Sequence, residues 1–233
     1  MAEKHASGCK RRGPERKMRY KAVLFDMDGT VMNTIEDLND SVNASLQAFG
    51  LPQIPLADTM RFVGNGARRL MEQAVPAGTD PDRFETILEY YVNYYQKHCL
   101  IKTGPYPGIP KLMRSLQAAG LRQVIISNKP DAAAREIADR YFPDFAEFVI
   151  GEKDGLRRKP WPDMIFAAIE RLGVPREECV YAGDSEVDID TARNAGIDCI
   201  SVLWGFRERK VLEAAGAMAF ARTPEELCGL LLA

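Results

Sequence analysis

The sequence predicts an α/β fold built on a parallel sheet of five strands, with a helical segment inserted after the first strand. Short continuous apolar runs recur along the chain, as is typical of parallel strands buried on both faces. Segments with helical apolar spacing lie between them, and this alternation favours a parallel sheet covered by helices. Residues 34–102 break the alternation, because they contain several helical runs and no strand-like run.

The five apolar runs are the candidate strands. They are Ala22–Phe25, Val124–Ile126, Phe148–Ile150, Cys179–Ala182 and Cys199–Leu203. Because the carboxyl ends of parallel strands lie at one edge of a sheet, the residues that follow these runs are expected to lie near one another.

Four segments with helical spacing separate the later strands: Ile109–Ala119, Asp131–Tyr141, Pro162–Leu172 and Ile189–Ala195. A glycine directly follows three of them, at the position where glycine commonly ends a helix. Strands and helices in this order predict an open, Rossmann-like sheet.

The segment 34–102 is predicted to form a separate α-helical cap domain. Apolar residues keep helical spacing over 35–49 and again over 84–95. The core domain would then consist of residues 18–33 and 103–233, joined to the cap by two linkers that permit a hinge.

Composition excludes several classes of function. The chain has 233 residues, with 31 Lys and Arg against 33 Asp and Glu and a net charge of −2, so no overall positive field would attract nucleic acid or anionic lipid. No apolar run approaches the roughly 18 residues that span a bilayer. The five cysteines form no C-x-x-C pair, and only two histidines are present, so neither a disulfide framework, a zinc site nor a Ser-His-Asp triad is indicated.

We therefore expect a cytoplasmic protein whose partner is a small molecule, with no nucleic acid or membrane partner, acting as a monomer or a homodimer. Residues 1–17 are basic and almost free of apolar residues, which predicts a disordered extension. A basic arm that binds nucleic acid is the alternative interpretation of this stretch.

Polar residues follow three of the predicted strands. They are Asp26, Asp28, Ser127, Asn128, Asp184 and Asp188. Four carboxylates crowded at one edge of a sheet repel one another, so a polyvalent cation is expected among them. Oxygen ligands without nearby His or Cys are typical of Mg²⁺.

Four motifs, in order along the chain, resemble those of the haloacid dehalogenase (HAD) superfamily, in its phosphatase branch with a helical cap after the first strand. They are Asp26–Thr30 (DMDGT), Ser127, Lys159-Pro160 and Gly183–Asp188 (GDSEVD). The resemblance extends from residue 20 to about residue 230. It implies a Mg²⁺-dependent phosphomonoesterase that acts through an aspartyl phosphate on a small phosphorylated metabolite.

The resemblance implies a role for each catalytic residue. Asp26 would be the nucleophile that attacks phosphorus, and it needs no activating base because a carboxylate is ionised at neutral pH. Asp28 would protonate the leaving oxygen and then activate water. Ser127 and Lys159 would hold the phosphoryl oxygens, and Lys159 would also hold Asp26.

The metal ligands implied by the resemblance are Asp26, the main-chain carbonyl of Asp28, Asp184 and Asp188. Asp188 would act either directly or through a water molecule. The alternative for Asp188 is that it only caps the helix that follows it.

Two further segments are similar to phosphoglycolate phosphatases, namely Arg61–Glu72 (RFVGNGARRLME) and Trp204–Arg207. This similarity implies 2-phosphoglycolate as the substrate. The expected substrate-binding residues are Gly29, Thr30 and Asn128 in the core and Arg61, Asn65 and Gly66 in the cap. Arg61 or Arg68 could pair with a carboxylate, whereas the alternative is that the two cap glycines only form a turn between helices.

Other activities of the same superfamily stay open as alternatives: a sugar phosphomutase similar to beta-phosphoglucomutase, a pyrophosphatase and a 5′-nucleotidase. Thr30 favours hydrolysis over the mutase, which usually has an apolar residue there. Many relatives carry Asp-Ser where this chain has Asn33-Thr34, so a hydroxyl is kept and a carboxylate is lost beside the predicted hinge.

Overall fold

The computed structural model describes residues 18–233, and its core is a parallel sheet of six strands. With strands numbered in chain order, the spatial order is β5 (Phe148–Glu152), β4 (Arg122–Pro130), β1 (Ala22–Phe25), β6 (Cys179–Gly183), β7 (Asp198–Val202) and β8 (Ala219–Ala221). The α/β class and the parallel sheet are confirmed. The extension predicted for residues 1–17 lies outside the described residues.

The predicted number of five strands is wrong, because β8 adds a sixth. This strand has only three residues, Ala219–Ala221, and pairs with β7 alone at the edge of the sheet. A three-residue strand with one partner does not need the long apolar run that marks a buried strand, so the sequence gives no signal for it.

Strand β1 lies in the middle of the sheet, between β4 and β6. Its side chains alternate between two separate apolar cores, with Val23 and Phe25 in one and Ala22 and Leu24 in the other. Because both faces of the strand are buried, every position is apolar. Asp26, the first residue after β1, therefore lies at the end of a central strand of the sheet.

The helices outside the insertion are α5 (Ile109–Ala118), α6 (Asp131–Tyr141), α7 (Asp163–Leu172), α8 (Glu186–Ala195), α9 (Arg209–Ala214) and α10 (Pro224–Leu231), with a short 3₁₀ helix at Arg176–Glu178. Helix α8 begins three residues before its predicted start at Ile189. Ser185 and Asp188 form a capping box there, which supplies hydrogen bonds to the first turn.

Four helices form the helical insertion that the sequence predicts after the first strand: α1 (Ile35–Ala48), α2 (Leu56–Phe62), α3 (Gly66–Ala74) and α4 (Pro81–His98). Its two ends are joined by a short antiparallel ribbon of β2 (Met32–Asn33) and β3 (Gly104–Pro105). The buried carboxylate of Asp37 accepts main-chain hydrogen bonds from Ile101, Lys102 and Thr103, the last at 2.9 Å. The chain's exit from α4 is thereby attached to α1.

Between residues 18 and 233, the structure contains no helix that combines the length and the apolar character needed to cross a membrane.

Candidate active site

A pocket of about 50 Å³ lies at the carboxyl ends of the three central strands, β4, β1 and β6. Most of the site residues singled out from the sequence line it: Asp26, Asp28, Gly66, Ser127, Asn128, Lys159 and Asp184. The helical insertion closes the other side with apolar side chains, among them Leu38, Leu70 and Val92. Charged and apolar side chains therefore line the same pocket.

Asp26 is the first residue after β1 and is only 6% exposed. Its Oδ1 atom accepts a hydrogen bond of 2.6 Å from Nζ of Lys159. Burial, together with the nearby carboxylate of Asp188, raises the pKa of Asp26 well above its usual range. The ionised form of Asp26 therefore depends on neighbouring positive charge.

Lys159 supplies one such charge from the loop between β5 and α7. Its buried Nζ also donates to Oδ1 of Asp188 at 2.7 Å and to the hydroxyl of Tyr181 at 3.1 Å. Burial alone would lower the pKa of Lys159, but the carboxylates of Asp188 and Asp26 raise it well above its usual range. Lys159 thus stays charged.

Asn128 holds the backbone of Lys159 in place. Its Oδ1 accepts from the Lys159 N–H at 2.8 Å, and its Nδ2 donates to the Lys159 carbonyl at 2.9 Å. Nδ2 also donates to the carbonyl of Gly64 in the helical insertion at 2.9 Å. Both N–H donors of the amide are thus occupied, and Asn128 connects its own strand end to the Lys159 loop and to the helical insertion.

Asp28 also lines the pocket, and only one of its oxygens has protein partners among the described residues. Oδ1 accepts a hydrogen bond of 2.6 Å from the Thr34 hydroxyl and lies 3.1 Å from Nζ of Lys129. Oδ2 has no hydrogen-bond partner among the described residues. Thr34 therefore uses its hydroxyl on Asp28, while the neighbouring Asn33 is exposed.

Sequence reasoning missed Lys129. A lysine beside Ser127 and Asn128 gives no sign of burial, since a charge at the end of a strand is usually solvated. The structure buries its side chain between Asp28 and the hydroxyl of Tyr95 from α4, which lies 2.5 Å from Nζ. The hydroxyl oxygen of Ser127 accepts a hydrogen bond of 3.1 Å from the Lys129 N–H.

Asp184 and Asp188 complete the acidic cluster. Oδ2 of Asp184 accepts a 2.6 Å hydrogen bond from the Phe206 N–H, and the buried hydroxyl of Thr30 lies 3.4 Å from Oδ1. Burial and Asp188 raise the pKa of Asp184 to about 7. Asp188 has both oxygens engaged, Oδ1 by Lys159 and Oδ2 by the N–H and hydroxyl of Ser185 at 3.0 and 2.6 Å.

Two glycines make room for Asp184. A Cβ on Gly29, which has φ +89°, would lie 2.3 Å from Oδ2 of Asp184, and a Cβ on Gly205 would lie 2.2 Å from its Cβ. No side chain fits at these distances. The glycine of the DMDGT motif is thus required by the carboxylate opposite it.

The donor set suits a hard divalent cation. Asp26, Asp184 and Asp188 each have an oxygen that lies within 4.8 Å of the others, and three carboxylates against the ammonium of Lys159 leave two negative charges uncompensated. Oxygen-only ligands favour Mg²⁺. Asp188 accepts three short hydrogen bonds, one of them from the ammonium of Lys159, whereas Oδ1 of Asp184 has only the Thr30 hydroxyl at 3.4 Å. Asp26 and Asp184 are therefore the side chains best able to bind a metal directly.

The predicted cap residues are only partly brought to the pocket. Gly66 lines it, whereas Asn65 is not among the lining residues. The Arg61 side chain is 70% exposed and pairs with Asp58. Arg68 pairs with Glu85 through two hydrogen bonds of 2.7 and 2.8 Å. Neither arginine faces the pocket, because each has a carboxylate partner on the outer surface.

Arg207 joins the core to the helical insertion. Its guanidinium donates to the main-chain oxygens of Met60 at 2.6 Å and Val63 at 2.7 Å. Glu186 accepts from Nε of the same group at 2.9 Å and holds it in this orientation. The loop that carries Arg207 also carries the N–H of Phe206, so one segment contacts both Asp184 and the insertion.

Comparisons with known proteins agree with this site. Residues 23–202 match the family described as haloacid dehalogenase-like hydrolase. The N-acetylmuramic acid 6-phosphate phosphatase of Pseudomonas aeruginosa is 31% identical over 218 residues, which cover 93% of this chain and 96% of that protein. A phosphoglycolate phosphatase of Xanthomonas campestris pv. campestris is 34% identical over 192 residues, which cover 82% of this chain and 86% of that protein.

A solved structure from Lactobacillus delbrueckii subsp. bulgaricus, provisionally named a phosphoglycolate phosphatase, has a TM-score of 0.88 and 38% identity, covering 92% of this chain and 99% of that one. The family match spans most of the chain, and curated relatives above 30% identity cover more than two thirds of it. The chain therefore belongs to the haloacid dehalogenase-like hydrolases, as a phosphatase similar to the phosphoglycolate phosphatases.

Proposed function

We propose that this chain is a Mg²⁺-dependent phosphomonoesterase that transfers the phosphoryl group of its substrate to Asp26, and that 2-phosphoglycolate is that substrate. One observation carries the chemistry: Asp26 is fixed by Lys159 at 2.6 Å, and Asp28, with a free oxygen, lines the same pocket. This arrangement supplies a nucleophile and an acid/base without a histidine.

In the first step, a carboxylate oxygen of Asp26 attacks phosphorus while the bond between phosphorus and the ester oxygen breaks. Asp28 gives its proton to the leaving oxygen, which departs as an alcohol. Lys159 and Ser127 hold the phosphoryl oxygens during this transfer. When bound by Asp26, Asp184 and the Asp28 carbonyl, Mg²⁺ would neutralise the negative charge that develops there.

In the second step, a water molecule gives a proton to Asp28 and attacks phosphorus. The bond between phosphorus and the Asp26 oxygen breaks, which restores the carboxylate and releases inorganic phosphate. Asp28 is thus protonated again and ready for the next turnover. Asp188 acts from outside the metal's ligands by holding Lys159 and the start of α8.

The size of the pocket supports a small substrate. Its volume is about 50 Å³. A leaving group of two carbons fits this space more readily than a bulky sugar. N-acetylmuramic acid 6-phosphate is the second candidate, because the relative with that activity matches over 93% of this chain.

A substrate panel tests the proposal. Mg²⁺-dependent phosphate release is measured for 2-phosphoglycolate, N-acetylmuramic acid 6-phosphate, pyrophosphate, a 5′-nucleotide and glucose 1-phosphate, the last with and without a bisphosphate activator. A clear preference for 2-phosphoglycolate supports the proposed substrate. A preference for another member of the panel would replace it, and activator-dependent isomerisation would indicate a mutase.

The covalent intermediate has its own test. p-Nitrophenyl phosphate has a leaving group that departs without a proton, so Asp28→Asn should still complete the first step but not the second. The acid-quenched variant should then carry one phosphoryl group on the peptide that contains Asp26. The double variant with Asp26→Asn is the control, and a phosphoryl group on that protein would contradict the assignment.

A further inference from the structure

Three basic side chains line the pocket among the described residues: Lys129, Lys159 and Arg207. Two of them serve other groups of the site. Lys159 lies between Asp26 and Asp188, at 2.6 and 2.7 Å. Arg207 is bound to Glu186 and to main-chain oxygens of the helical insertion.

The ammonium group of Lys129 has one N–H donor without a partner among the described residues. Its side chain is 2% exposed, and its ammonium group is 3.1 Å from Oδ1 of Asp28 and 2.5 Å from the hydroxyl of Tyr95. An ammonium group has three donors, and these contacts use two of them. The Tyr95 hydroxyl stays neutral, because burial raises its pKa well above the usual range.

The position of Lys129 relative to Asp28 indicates what the third donor would meet. In the proposed mechanism Asp28 protonates the leaving oxygen, so the group attached to that oxygen must lie beside Asp28. Lys129 is the basic side chain in contact with Asp28, and Leu38 and Tyr91 line the same pocket. In such surroundings an ion pair is stronger than in water.

We propose that Lys129 determines substrate specificity by binding a carboxylate on the leaving group, so that the enzyme selects small phosphorylated carboxylic acids. This inference rests on the proposed phosphatase function and deepens it. It replaces Arg61 and Arg68, the cations expected from the sequence, with a buried lysine from the end of β4.

Two substrates that differ only in the carboxylate test the inference. 2-Phosphoglycolate and ethyl phosphate differ by a carboxylate in place of a methyl group, and kcat/KM is measured for both. The wild-type enzyme should prefer 2-phosphoglycolate, and Lys129→Met should lower that preference by roughly 10- to 100-fold, the usual effect of losing a charged hydrogen bond. If the methionine variant does not fold, the same two substrates are compared with Lys129→Gln.

Lys210→Met is the matched control. Its side chain is 78% exposed and pairs with Glu208 outside the pocket, so the substrate preference should not change. Equal losses for both substrates in the Lys129 variants would overturn the inference, because the lysine would then serve only to position Asp28. An absence of preference in the wild-type enzyme would overturn it as well. Failure of the wild type to hydrolyse either substrate would instead count against the proposed function.

Discussion

Arg207 donates a hydrogen bond of 2.7 Å to the main-chain oxygen of Val63, and so ties the loop after β7 to the turn between α2 and α3. Together with its bond to Met60, this contact caps the carboxyl end of α2 from across the pocket. The guanidinium is thus a direct structural link between the sheet and the helical insertion.

Replacing Arg207 should loosen the insertion without removing a catalytic group. Each hydrogen bond from a charged donor contributes about 1.5–3 kcal/mol, so Arg207→Ala should lower kcat/KM by roughly 10- to 100-fold. Amide hydrogen exchange over residues 56–66 should become faster. Arg209→Ala, which removes an exposed pair with Glu213, is the control. Unchanged exchange in Arg207→Ala would show that other contacts hold the insertion.

Lys159→Met should reduce both activity and stability. The substitution leaves Asp26 and Asp188 buried without their shared cation, and breaking a buried ion pair costs about 3–5 kcal/mol. Urea unfolding followed by circular dichroism measures the loss in the free energy of unfolding. Wild-type stability together with lost activity would mean that the two aspartates are compensated by other groups.

The stabilisation of the protein by Mg²⁺ should increase with pH. The pKa of Asp184 is raised to about 7, so between pH 4 and 7 the folded protein holds a proton that the unfolded chain has lost, and its metal-free stability falls as pH rises. Mg²⁺ binds the ionised carboxylate and restores stability. The increase in melting temperature on adding Mg²⁺ should be several degrees larger at pH 8 than at pH 5.5.

Asp184→Asn is the control for that measurement and should abolish most of the Mg²⁺ effect. If Mg²⁺ raised the melting temperature of the wild type equally at both pH values, the role given to the Asp184 carboxylate would be contradicted.

Asp184 and Asp188 should differ in their effect on Mg²⁺ affinity. Lys159 holds Oδ1 of Asp188 with its ammonium group, and Ser185 holds Oδ2. We therefore expect Asp188 to act on the metal through its neighbours, where a substitution typically costs about 10- to 100-fold in affinity. Asp188→Asn should stay within that range, and Asp184→Asn should lose more. Titration of Mg²⁺ by calorimetry measures both, and a larger loss for Asp188→Asn would make it a direct ligand.

Gly205→Ala should displace Asp184, because the added methyl group would lie 2.2 Å from the Asp184 Cβ. We expect Mg²⁺-dependent activity to fall by at least about 100-fold, in line with loss of a metal ligand's position. Gly229→Ala is a matched control in α10, where nothing lies within 4 Å of the new atom. It should stabilise the protein by about 0.5–1 kcal/mol.

The sequence is informative where burial on both faces forces a continuous apolar run. That is why β1 and the position of Asp26 could be predicted. The helical insertion could be predicted from a different pattern, the helical spacing of its apolar residues. It is uninformative where a residue's role depends on a partner distant in the chain. Arg61 and Lys129 look alike as isolated charges, yet one pairs with Asp58 on the surface and the other is buried against Tyr95.

The partners of Asp188 show the same limit. A capping box can be suspected from Ser185 and Asp188, but the bond to Lys159 joins residues 29 positions apart in the chain. Local spacing cannot decide between a helix cap and a metal site. The structure shows that the Asp188 carboxylate caps α8 and also forms an ion pair with Lys159.

The ribbon of β2 and β3 has a consequence for the evolution of specificity. Met32 pairs with Pro105 and Asn33 with Gly104, so the chain enters and leaves the helical insertion at neighbouring points. A segment attached in this way can be lengthened, shortened or exchanged between relatives while the sheet and its aspartates keep their positions. Changes in this module can then reshape the apolar wall of the pocket, while the phosphoryl-transfer chemistry and the lysine at the end of β4 are inherited unchanged.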